Sequence, residues 1–157
     1  MRARKKLFSL EVETREKFLN ACFSYQFALE MWAQYPTISV LALVSAVESM
    51  MVDEFTSRFC EDAKKRCSLK FDVMKKFRAF FERNLSYPLP KELKRFLNDV
   101  YSKRRSTYVH KALLGEGSLR GPHFGFSLLE AEKKFDSEKR DLEQLVNVAL
   151  IEWLHRI

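Results

Sequence analysis

The residues best suited to chemistry stand together in Arg105-Ser-Thr-Tyr-Val-His110, an arginine and a histidine with four residues between them. An imidazole titrates near neutrality, so it can both take up and release a proton at physiological pH. An arginine stays cationic, and its planar guanidinium donates two hydrogen bonds to one anionic group. Such a pair can move a proton beside a developing negative charge. The chain as a whole favours the same kind of partner: 28 Lys and Arg against 21 Asp and Glu give a formal charge of +7, which attracts polyanions such as RNA or DNA. Two plainer roles stay open at this point. His110 is also placed to face the negative end of a helix dipole, and Lys103, Arg104 and Arg105 also read as a solvated basic face.

Other chemistries find no local support. The sequence has no G-x-x-x-x-G-K-[ST], no G-x-G-x-x-G after a strand, no H-E-x-x-H and no G-x-S-x-G elbow. Cys60 and Cys67 lie seven residues apart in an expected helix. That spacing separates their Cα atoms by roughly 10 Å, beyond the disulfide limit of about 7 Å. Neither they nor His110 and His123 show the ligand spacing of a zinc site. His123 and His155 read as structural or surface residues. An odd count of three cysteines fits a reducing compartment, so a cytoplasmic protein is expected. The longest apolar run, Ile38 to Val47, is about half of the roughly 20 residues that cross a bilayer, so no membrane association is expected. Charged residues from Glu11 to Lys17 interrupt any secretory apolar region behind the basic start.

These residues need a scaffold, and its class is legible. With 157 residues the chain fits one domain. Only four glycines and four prolines occur, too few for the turns of a sandwich or barrel, so an all-α fold is predicted. All four glycines fall between Gly115 and Gly125, the principal loop, and Pro36, Pro88 and Pro90 divide what precedes it. A first helix is predicted from about Leu10 to Ala33, with Phe18, Cys22, Tyr25, Leu29 and Trp32 on one stripe. Thr37 is the predicted N-cap of a second, central helix reaching about Cys67. Ser68 is the predicted cap of a third, with Phe71, Met74, Phe77, Phe80 and Phe81 inward. Pro90 leads a fourth, buried through Leu93, Phe96, Leu97, Val100 and Tyr101. A last helix capped at Asp136 or Ser137 buries Leu142 to Leu154, behind a short extra helix over Ser127 to Lys134. The expected architecture is an antiparallel bundle of four to five helices.

Three segments stand out when taken together: the apolar helix from Ile38 with its single acid, Glu48; the Arg105/His110 segment; and the C-terminal amphipathic helix. In this order they resemble the HEPN superfamily, and within it the Apea-like branch, over roughly residues 15–157. The resemblance implies a helical bundle that dimerises. It also implies a metal-independent endoribonuclease without cofactor, in a toxin–antitoxin or phage-defence setting, with an antitoxin or nucleotidyltransferase as partner. Arg105 and His110 would be the catalytic pair, with Arg104 the second choice of arginine. Ser106 would take the polar position after the arginine, and Lys111 stands where many Apea-like members have glycine. In RNA cleavage the histidine would act on the ribose 2′-hydroxyl and the leaving 5′-oxygen, and the arginine on the phosphorane-like transition state. The alternative is a non-catalytic HEPN-like module that binds RNA or a partner protein.

Geometry sets two requirements on that site. Residues five apart differ by about 140° around a straight α-helix, so either the helix end distorts, or the arginine wraps round, or two protomers complete the cleft. Glu48, alone in an apolar stretch, also needs a partner, and Arg105 or Arg104 is the predicted one.

Overall fold

The computed structural model describes residues 2–51, 68–105 and 126–157, with side chains over 4–51, 73–102 and 133–157. The chain is all-α as expected: six α-helices, one π-helical segment and no strand occur among the described residues. In chain order they are α1 (Arg2–Ser9), α2 (Val12–Glu30), α3 (Pro36–Met50), α4 (Ser68–Asn84), α5 (Lys91–Asp99), the π segment (Val100–Arg105) and α6 (Phe126–Arg156). No helix among the described residues is long and apolar enough to cross a membrane.

Helices α2 and α3 form a tight hairpin. The Ser39 hydroxyl donates to the Ala28 carbonyl at 2.8 Å in a buried setting, a contact that requires the two backbones to approach closely. Small residues permit this: Ala21 and Ala28 are fully buried on α2. The stripe predicted for α2 is thus right at Phe18, which is buried, and at the half-buried Cys22 and Tyr25, whereas the helix stops at Glu30 and Trp32 stands in the turn that follows. It is wrong at Leu29, which is 45% exposed. The apolar stripe continues through alanines that spacing by large residues overlooks.

Thr37 does not cap α3. The helix begins one residue earlier, with Pro36 at its first position, where a missing N–H costs nothing because that donor has no partner within the helix. Thr37 is instead buried in the first turn. As expected for a helix apolar on nearly every face, α3 is central: it packs against α2, α4, α6 and the π segment. The predicted run of this helix to Cys67 is corrected: α3 ends at Met50, and Met51 turns to an extended backbone with ψ 124°. Residues 52–67, with the Cys60 and Cys67 thiols, lie outside the described set.

On α4 Phe77, Phe80 and Phe81 are buried as predicted, with Phe77 and Phe81 meeting edge to face at 5.4 Å; the Phe71 side chain lies outside the described set. Pro90 sits at the N-cap of α5, just before the first turn. The division of the C-terminal region into two helices is corrected to one helix of 31 residues. Asp136 and Ser137 lie inside it, with no glycine or proline nearby to stop the chain. Asp136 is spent on an ion pair with Lys139, one turn on, at 3.4 Å. Lys139 is 2% exposed. Its ammonium donates to the Trp32 carbonyl at 3.0 Å and stands 4.1 Å from the centre of the Trp32 ring, joining α6 to the end of α2.

A second polar link joins α2 to α6. The Tyr25 hydroxyl donates to Glu143 and accepts from Asn147 at 2.8 Å. Burial, then the Glu143 carboxylate, pushes the phenol up to about 12. A folded-state value above the ordinary one near 10 means that the stability it confers is complete below pH 10 and is lost as the pH rises to about 12. The urea midpoint of the parent should therefore fall over that interval by more than the midpoint of Tyr25→Phe does. Equal falls in the two proteins would show that the phenol is not linked to folding.

Candidate functional site

The site begins where α5 changes its winding. After Asp99 the chain continues as a π-helix over Val100–Arg105. In π winding each N–H reaches back five residues instead of four, so the turn is wider than that of an α-helix. This arrangement is intrinsically poor and persists where neighbours over-determine it. Here the neighbours are α3 and α4, both packed on the segment. Val100 and Tyr101 anchor its inner side, 2% and 8% exposed. Ser102 closes the outer side by donating from its hydroxyl to the Asn98 carbonyl at 2.6 Å.

Tyr101 connects this turn to Glu48. Its hydroxyl donates to the Glu48 carboxylate at 2.7 Å, a charge-assisted bond stronger than one between neutral groups. Its ring lies 4.8 Å from that of Phe77, so α4 fixes the body of the side chain while α3 fixes its tip. The acid that sequence reasoning singled out is thus held against the turn that carries Arg104 and Arg105. Tyr101 itself was read only as a buried residue of the fourth helix. The signal that could have found it was a buried aromatic with a polar tip, which needs a partner, in a chain with a lone acid needing the same.

The backbones of Arg104 and Arg105 belong to the π segment. Their side chains, and with them the predicted pairing to Glu48, lie outside the described set, as do Ser106, His110 and Lys111. Of the predicted site residues, the structure therefore brings together Glu48 and the backbone of the two arginines. Among the described residues no group of three or more His, Cys, Asp or Glu side chains converges.

No family model, curated protein or solved structure matches the chain. What the residues can do is thus read from their chemistry and placement.

Proposed function

We propose that the protein is a metal-independent endoribonuclease of the HEPN type, with Arg105 and His110 as its catalytic pair. The observation that supports this reading is the π winding of Val100–Arg105, tied through Tyr101 to Glu48. An R-x4-H pair on a straight helix has its two members on different faces. The π winding lies in the turn that delivers the arginine, while the path from Arg105 to His110 lies outside the described residues. Wide π turns of this kind also concentrate at functional sites.

In the reaction His110 takes the proton of a ribose 2′-hydroxyl, whose oxygen attacks the adjacent phosphorus. The P–O5′ bond breaks, and the leaving oxygen takes a proton from the imidazolium. Arg105 donates to the non-bridging oxygens as their charge grows. The products are a 2′,3′-cyclic phosphate and a 5′-hydroxyl. The long helices among those described belong, on this reading, to an antiparallel four-to-five-helix bundle in one cytoplasmic domain.

Purified protein should cut single-stranded RNA in EDTA, leave those two ends, and spare DNA. RNA that is bound but left intact under the same conditions would favour the alternative, a non-catalytic module for RNA or a partner protein. The proposed working form is a homodimer, since one R-x4-H segment supplies half a cleft and an isologous pair places two about one axis. Light scattering at micromolar concentration should give twice the monomer mass, and a monomer mass would rule out the two-protomer cleft.

A further inference from the structure

A groove runs between α5 and α6 and reaches Val100, the first residue of the π segment, at one end. It has two continuous stretches that share Glu92 and Phe96. The first, of about 530 Å³, is floored by Leu93, Phe96 and Leu145, with Tyr87 and Val148 at its edge. Those edge residues are 48% and 43% exposed. The second, of about 420 Å³, continues past Arg95 and Lys134 to Val100.

Its charge runs against that of the molecule. The chain carries +7, yet the two charged residues lining the apolar stretch are both carboxylates: Glu92 from α5 and Asp141 from α6, one on each side and both exposed. Over both stretches the four carboxylates of Glu92, Asp99, Glu138 and Asp141 outnumber the two cations, Arg95 and Lys134, a balance that suits a basic partner better than a nucleic acid. Length identifies the shape of the occupant. From Lys134 to Val148 the groove follows α6 for fifteen residues, whose ends lie roughly 21 Å apart at about 1.5 Å per residue. An amphipathic helix of about four turns fills such a trough, with apolar side chains at i, i+3, i+4 and i+7 on the floor and cations against the rims. We propose that the α5/α6 groove is a docking site for a basic amphipathic helix of a partner protein.

The test uses two fluorescein-labelled peptides of fifteen residues with leucine at those positions and either lysine or glutamate elsewhere, titrated with the full chain. Non-specific attraction to a protein of charge +7 favours the glutamate peptide, whereas the groove should bind the lysine peptide at least tenfold more tightly. The double variant Glu92→Lys/Asp141→Lys changes only exposed positions and should reverse the order. Val148→Glu, at the groove edge, should weaken the lysine peptide by tenfold or more, with unchanged circular dichroism. Preference of the parent for the glutamate peptide, or a lysine-peptide affinity that survives both variants, would overturn the proposal. So would a Val148→Glu protein of half the parent's sedimentation mass, which would make a second copy the occupant. Loss of RNA binding in that variant would make RNA the occupant, with the same result.

Discussion

His110→Ala should slow cleavage of single-stranded RNA by about 10²–10⁴-fold, the usual loss when a positioned acid–base group is removed. Arg105→Ala should cost a comparable factor, because the guanidinium acts on charge that exists only in the transition state. Arg104→Ala should cost less if Arg105 is the arginine that faces the phosphate. Single-turnover rates on a labelled oligonucleotide in EDTA measure all three. The two arginines belong to a turn braced against Glu48, so each variant must first show the helical circular dichroism of the parent. A folded His110→Ala protein that cleaves as fast as the parent would assign the activity to another site and leave the binding module as the better reading.

The second large effect is on stability. Phe77 is fully buried and lies between the rings of Phe81 and Tyr101, at 5.4 and 4.8 Å. Truncation to alanine removes its transfer free energy and leaves a cavity, a loss of about 3–5 kcal/mol for phenylalanine. That is a large part of the roughly 5–15 kcal/mol by which domains are stable. Urea unfolding of Phe77→Ala should show it as a lowered midpoint. The same change removes the wall that holds the Tyr101 ring, so RNA cleavage by the folded fraction should fall as well. A loss of stability under about 1 kcal/mol would mean that the aromatic cluster is not the packed core described.

Where the sequence could be read, it was read through periodicity and punctuation. The run Leu142, Leu145, Val146, Ala149, Leu150 has the spacing of one helix face, and all five are buried. Asn84 ends α4, and Pro90 precedes α5, because proline and small polar residues carry local instructions. Asp136 misled because a capping residue and an ion-pair residue look alike until a buried lysine is known to lie one turn away. The hidden part of the candidate site is also non-local. Nothing in residues 100–105 announces π winding. It depends on packing against α3 and α4, and the partner of Glu48 is 53 positions further along the chain.

Lys139 has a consequence for assembly. The faces that α2, α3 and α6 bury are rich in alanine, valine and leucine, residues that can repack against one another at many offsets for small differences in energy. A buried ammonium cannot. Stripped of its partners it costs several kcal/mol. Sliding α6 by one turn, about 5.4 Å, would carry it away from the Trp32 carbonyl and ring, now 3.0 and 4.1 Å away. Every slipped pairing therefore bears a penalty that the native one escapes, and the lysine serves as a detent that sets the register of α6 on the hairpin.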